Sequence, residues 1–293
     1  MNLITGLDHV VVLVNDLDAG VGAYQALFAR APAWRSIADG AETALFTLDN
    51  MTLELMSPTS EGQAADRIRA VLKERGEGLA SICFATSDIA QMHRRLDRMA
   101  LKPEPVSEGG SRDAASGAEL GWQRTRASTE ATRGVRLFFL EMAAQRPRSA
   151  ATADAPIIGL DHIVIATGDP ERSAALYGAR LGLDMALDRS HPDWGHLMFF
   201  RCGDLIVETV QRPRSALDAA QDRLYGMSWR VANADATRAR LVSAGIDASD
   251  VRTGRQPGTR VLTVRSGTCG IPTLLVERTP KPSTGRPREG GDP

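Results

Sequence analysis

GLDHVVVLVNDLDAGVGAYQAL, running from Gly6 to Leu27, and GLDHIVIATGDPERSAALYGAR, running from Gly159 to Arg180, align without a gap 153 residues apart. The chain is therefore a tandem duplication, and its period has to be read before any local element. Each copy opens with a short apolar run, passes a residue able to cap a helix, and continues with apolar residues at helical spacing. In the first copy Asp16 is the cap, and Leu17, Val21, Tyr24 and Phe28 share one face. In the later copy Asp169 caps, Pro170 takes the first helical position, and Pro170, Ala174, Tyr177 and Leu181 share the face.

Each half divides again. LASICFAT leads to Asp88 and a helix carrying Ile89, Met92 and Leu96, while YGMSWRVA leads to Asn233 and a helix stopping at Gly245. Every unit closes with strands, the last holding one acid in an apolar run: Glu54, Glu141, Glu208 and Glu277. The pattern is strand, helix and three strands, four times over, which is an α+β architecture of four βαβββ modules. The expected modules are 3–58, 77–142, 157–211 and 222–279, grouped as a first domain over 1–142 and a second over 157–279. The small, charged and Pro-containing stretch 143–156 reads as a linker, and 280–293 as a disordered tail.

The chain has 293 residues with 35 Lys and Arg against 36 Asp and Glu, so its charge of −1 gives no reason to expect nucleic acid or an acidic membrane as partner. With no apolar run of spanning length and no signal-peptide pattern at the start, a cytoplasmic protein, monomer or homodimer, is expected. Cys83, Cys202 and Cys269 are too widely spaced for a CxxC metal site and are read as buried thiols.

Seven residues before the four caps stand His9, Ser81, His162 and Gly226. If neighbouring modules pair their sheets, each half gathers one imidazole and two carboxylates: His9, Glu54 and Glu141, then His162, Glu208 and Glu277. Carboxylates on apolar strands are costly to bury unpaired, and a divalent cation would balance them. Such a set suits Zn, Mn, Fe, Co or Ni with open positions for water or substrate. The alternative is a pair of core histidines, each satisfied by one neighbouring Glu.

With LDHVVV and LDHIVI in leading strands and LELM, FLEM, IVET and LVER in closing strands, the chain resembles the vicinal oxygen chelate superfamily, which includes glyoxalase I, methylmalonyl-CoA epimerase, extradiol dioxygenases and bleomycin resistance proteins. The resemblance implies two tandem glyoxalase-like domains with cup-shaped mixed sheets. It also implies metal ligands at His9, Glu54, Ser81 and Glu141 and at His162, Glu208, Gly226 and Glu277. Ser81 and Gly226 depart from the family's second histidine and are degenerate ligand positions. The implied activity is a divalent-metal-dependent lyase or isomerase acting on a small oxygenated metabolite through an enediolate, with Glu141 and Glu277 as bases. The alternatives are a non-catalytic small-molecule binding or resistance protein, and a ring-cleaving dioxygenase, which the one-histidine set disfavours.

Secondary candidates lie in the third module. With a two-residue turn at Gly203-Asp204, Phe199 falls opposite Glu208, so Arg201 shares the acid's face and is expected to hold an anionic substrate, while His196 points away. His191 is expected at the pocket mouth. Trp122, Trp194 and Trp229 are read mainly as packing residues, His93 as surface, and Ser107–Glu119 as a mobile loop over the first cup.

Overall fold

The computed structural model describes residues 2–213 and 217–279; the expected tail at 280–293 lies outside them. The first module comprises β1 (Ile4–Leu13), α1 (Leu17–Phe28), β2 (Trp34–Ala38), β3 (Ala41–Thr47) and β4 (Thr52–Pro58). A helix outside the βαβββ pattern, α2 (Gln63–Arg75), follows. The second module is β5 (Gly78–Thr86), α3 (Ile89–Arg98), β6 (Ser107–Arg112), β7 (Glu119–Arg126) and β8 (Leu137–Met142). The third has β9 (Gly159–Thr167), α4 (Pro170–Ala174), β10 (Asp184–His191), β11 (Gly195–Cys202) and β12 (Leu205–Gln211). The fourth has β13 (Asp222–Val231), α5 (Ala234–Ser243), β14 (Arg252–Thr253), β15 (Thr259–Val264) and β16 (Thr273–Arg278).

Two eight-stranded mixed sheets result, ordered β2-β3-β4-β1-β5-β8-β7-β6 and β10-β11-β12-β9-β13-β16-β15-β14. Module one thus pairs with module two, and three with four. In each sheet the two leading strands run antiparallel at the centre, and each has its own closing strand as a parallel neighbour.

All four caps form. The side chains of Asp16, Asp88, Asp169 and Asn233 accept from the backbone N–H three residues on, at 2.7 to 3.1 Å. Helices α1, α3, α4 and α5 line a single core between the two sheets, uniting Val10, Val12, Tyr24, Phe28, Met92, Leu96, Tyr177, Trp229 and Leu241. Phe28 meets Trp229 of the other half edge-on at 4.8 Å between centroids. Arg240 donates to the carbonyls of Ala26 and Leu27 at the end of α1, and Arg180 to those of Met99 and Ala100 just after α3. The buried pair Arg133–Asp222, at 3.1 Å, is a further tie between halves. The faces of the sheets turned away from this core form the cups.

Two local expectations are corrected. The segment after α4, Ala175–Arg180, is π-helical, so the strict 3.6-residue face over 170–181 does not hold. Ser107–Glu119 is no mobile loop: β6 pairs with β7 through six registered residues around a short turn. The connection 143–156 is fastened to the first domain, with Ser149 N–H donating to Thr47, Ala31 N–H to Ala150 and Thr152 N–H to Ala29. Among the described residues no helix is long and apolar enough to cross a membrane.

Candidate functional site

The register of the central strands decides which side chains face each cup. His9 lies opposite Thr52 and Val11 opposite Glu54, so His9 and Glu54 share a face, and their side chains meet at 3.2 Å between Nε2 and Oε2. His162 and Glu208 repeat this at 3.3 Å. A bulge in each leading strand leaves Asp8 and Asp161 without a cross-strand partner and turns each carboxylate onto the neighbouring imidazole. Asp8 Oδ1 is 2.5 Å from His9 Nδ1, and Asp161 Oδ2 is 2.9 Å from His162 Nδ1. Both nitrogens of each ring therefore face carboxylates. Arginines complete the rows, Arg146 on Asp8 at 2.8 Å and Arg278 on Asp161 through two 2.7 Å bonds.

Charge follows this geometry. Burial alone would raise the Asp8 pKa, but His9 and Arg146 overcome it and hold the carboxyl at about 2. Burial would lower the His9 pKa, yet the Cys83 sulfur and the Glu54 and Asp8 carboxylates raise it well above its ordinary value. Asp161 is held below the usual carboxylate range: His162 and Arg278 outweigh burial. Burial pushes the Glu208 carboxyl up, and the fields of His162, Arg212 and Arg255 lower it by less.

The other two acids are elsewhere. On the parallel ladder of β5 and β8, Cys83 pairs with Phe138, and on that of β13 and β16, Ser228 pairs with Leu274. Phe138 and Leu274 thus occupy the places that Glu54 and Glu208 hold in their own modules. Glu141 and Glu277 come three residues later and on the opposite, helix-covered face. Their carboxylates accept from Ile89 N–H at 2.8 Å and Ala234 N–H at 2.7 Å, at the first turns of α3 and α5. In the odd-numbered modules Ser57 and Gln211 stand at this address and donate to the carbonyls of Asn15 and Gly168, just before the caps of α1 and α4. The address is a strand-to-helix tether in all four modules. The expected three-residue gatherings are corrected accordingly: His9 meets Glu54 and His162 meets Glu208, while Glu141 and Glu277 join neither.

The cups also differ. In the first, edge strand β2 is tied across to the β6–β7 hairpin: Trp34 Nε1 donates to Ser111 at 2.9 Å, and Arg35 N–H to Asp113 at 3.0 Å. Trp34, Leu45 and Leu120, with Trp122 and Met142 packed against them, form an apolar cluster inside it. Gly109 permits this, since a Cβ there would lie 2.3 Å from the Trp122 indole. Helix α2, capped by both carboxylate oxygens of Asp39, covers the other end with Ala64, Ile68, Val71 and Leu72 against Val11, Leu13, Met56 and Ala80. A hollow of about 420 Å³ beside Trp122 and Met142 touches Glu141 but neither His9 nor Glu54.

The second cup is open. Glu208 faces a cavity of about 540 Å³, walled by Trp194, Leu197, Val210, Arg212 and Arg255 among others. His191 does not line it but stacks on Trp194 at 3.9 Å. Phe199 lies opposite Glu208 as expected, and Arg201 lies opposite Ile206, exposed and outside the cavity wall. His196 pairs with Asp188 at 2.5 Å. Trp229 is wholly buried in the shared core.

The architecture and both ladders point one way. Residues 7–157 match the family model described as a glyoxalase-like domain, and residues 161–263 match the model of the glyoxalase/bleomycin resistance protein/dioxygenase superfamily. The chain belongs to this glyoxalase-like superfamily. Solved structures of the same fold include a mutant of 4-hydroxymandelate synthase from Streptomyces coelicolor, with 13% identity, 94% of this chain and 93% of that one covered, and a TM-score of 0.67. The Mn(II)-bound glyoxalase from Novosphingobium aromaticivorans shares 14% identity over 94% and 83% of the two chains at TM-score 0.63. The 2,3-dioxygenase LapB from Pseudomonas sp. KL28 shares 13% over 94% and 93% at 0.60. Comparison with curated proteins found no match.

Whether this glyoxalase-like chain suits a resident metal is decided by its donors. In the second cup the histidine address is Gly226, where a Cβ would lie 2.6 Å from the Pro272 carbonyl oxygen, and the carboxylate address is Leu274. In the first cup the corresponding residues are Ser81 and Phe138. The family's four ligand addresses thus supply two protein donors per cup, and with each imidazole facing a carboxylate at both nitrogens they fall short of the three that a bound divalent ion ordinarily needs. Asp8, His9 and Cys83 do offer ligand atoms within 4.8 Å of one another, a grouping of metal-binding type, but Arg146 already holds the carboxylate.

Missed by sequence reasoning were Asp8, Asp161, Cys83, Arg212 and Arg255. The Asp-His pair in both quoted repeats was the available signal for the first two. Cys83 stands two residues beyond Ser81, which places it opposite His9 once the leading strands pair.

Proposed function

We propose that the second cup is the working site and that the protein is a glyoxalase-like lyase or isomerase moving a proton on a small oxygenated metabolite. The observation that carries this is the contrast between the cups: Glu208 faces a cavity of about 540 Å³, within the range of small-molecule sites, while the first cup holds two packed apolar clusters. Glu208 is the base. Its carboxylate takes a proton from a hydroxyl-bearing carbon beside a carbonyl, giving an enediolate, and returns it to the former carbonyl carbon while the hydroxyl proton passes to the former carbonyl oxygen. Burial raises its pKa and so strengthens it as a proton acceptor. His162, 3.3 Å away and held in turn by Asp161, orients the carboxylate. The guanidiniums of the wall favour the negative charge that develops on the substrate oxygens. Because the donors do not fit a resident metal, no step is assigned to one.

A second reading, a binding protein that keeps the cup without the chemistry, is favoured by Gly226 and Leu274 at the family's ligand addresses. Proton exchange in D2O separates the two. Hydroxyacetone and 2-oxoglutarate, followed by proton NMR, should lose the hydrogens beside the carbonyl faster with the enzyme. The gain should vanish in Glu208→Gln and persist in Glu54→Gln. Exchange no faster than in buffer, or unaffected by Glu208→Gln, contradicts the assignment.

A further inference from the structure

We propose that the second cup binds its ligand through a carboxylate gripped by Arg212 and Arg255; this rests on that cup being the working site. Arg212 follows the end of β12, Arg255 sits in the turn between β14 and β15, and both line the cavity that Glu208 faces. Each guanidinium lies over an aromatic ring, Arg212 at 4.2 Å from the centroid of Tyr225 and Arg255 at 4.4 Å from that of Trp194. Trp194 is itself braced by His191, stacked 3.9 Å away at 10°. An aromatic face holds a guanidinium in orientation while leaving its in-plane N–H donors free.

Among the described residues neither Arg212 nor Arg255 makes an ion pair or a hydrogen bond. Their neighbours behave otherwise: Arg230, Arg260 and Arg278 of the same half are paired with Asp204, Asp235 and Asp161. Two oriented, unpaired forks at one concavity match the planar, two-oxygen geometry of a carboxylate. A ligand held there would direct its oxygenated carbon toward Glu208. The exposed Arg201, outside the wall, takes no part.

The full chain is titrated calorimetrically with 2-oxoglutarate, with its dimethyl ester and with inorganic phosphate. The acid should bind once per chain, and the ester and phosphate at least about tenfold more weakly. Arg212→Ala and Arg255→Ala should each weaken the acid by about tenfold or more, Arg212→Lys and Arg255→Lys by less, and Arg265→Ala not at all. Thermal melts check folding, and the Lys variants decide where an Ala variant melts early. Equal binding of acid and ester, tighter binding of phosphate, or loss in Arg201→Ala in place of the other two overturns the proposal. If the acid fails to bind while Glu208-dependent exchange on hydroxyacetone persists, the carboxylate is overturned and the proton-transfer reading stands. If that exchange is absent too, both fall.

Discussion

Replacing Glu277 by Ala separates a tethering acid from a catalytic one. Its Oε2 accepts from Ala234 N–H at 2.7 Å, and Ala234 is fully buried at the start of α5, so truncation takes the acceptor from a buried donor. A hydrogen bond to a charged acceptor contributes about 1.5–3 kcal/mol, and an anion at a helix N-terminus adds a few tenths. The ion pair to Arg260, at 3.3 Å with the guanidinium 43% exposed, adds little. Asn233 still caps the same turn, accepting from Ala236, so the helix is weakened rather than lost. A destabilisation of about 2 kcal/mol, or roughly 3–4 °C in Tm for a chain of this length, is expected. Circular dichroism melts at pH 7 measure it, and D2O exchange reads the chemistry on the same sample. Glu141→Ala should behave alike through Ile89, whereas Glu208→Gln should keep its Tm and lose exchange. If Glu277→Ala leaves the Tm within about 1 °C of wild type yet abolishes exchange, the tether assignment is refuted.

Acid sensitivity should trace to the Asp8 row. Asp8 falls from 3.8 to about 2 on folding, so its contribution, about 2 kcal/mol, is complete above pH 3.8 and lost as pH drops through 2. Urea melts of wild type and Asp8→Asn should show this part of their stability gap about halved at pH 3. The raised pKa of His9 adds stability that is complete below 6.5 and lost as pH rises through its folded value, so His9→Gln should cost less at high pH than at pH 6. Arg133→Ala strands the wholly buried carboxylate of Asp222 and should cost about 3–5 kcal/mol, read by the same melts. Dialysis against EDTA should leave exchange and 2-oxoglutarate binding unchanged; a loss restored by Mn(II) would contradict the donor argument.

The duplication, the four caps and the α+β modules are legible because they rest on local patterns: an apolar run, an acceptor side chain, then helical spacing. Strand register is not local. A lone Glu in an apolar run looks the same in LELM as in FLEM, but pairing Cys83 with Phe138 moves Glu141 three positions along and onto the other face. The tether it makes with α3 becomes visible only once strand and helix are placed together. Helix α2 escapes notice because Gln63–Arg75 is mostly polar and charged, though Ala64, Ile68, Val71 and Leu72 carry the spacing of one buried stripe. That helix accounts for much of the inequality between the cups. Arg212 and Arg255 lie in turns, where no periodicity marks a residue, and only the fold brings them to one wall.

A crystal structure of the chain soaked with 2-oxoglutarate tests the unequal cups most directly. The account predicts ligand density in the second cup, its carboxylate on Arg212 and Arg255 and its carbonyl carbon toward Glu208, with the first cup still filled by Trp34, Trp122 and the side chains of α2. Density beside His9 and Glu54, with the second cup empty, would contradict it.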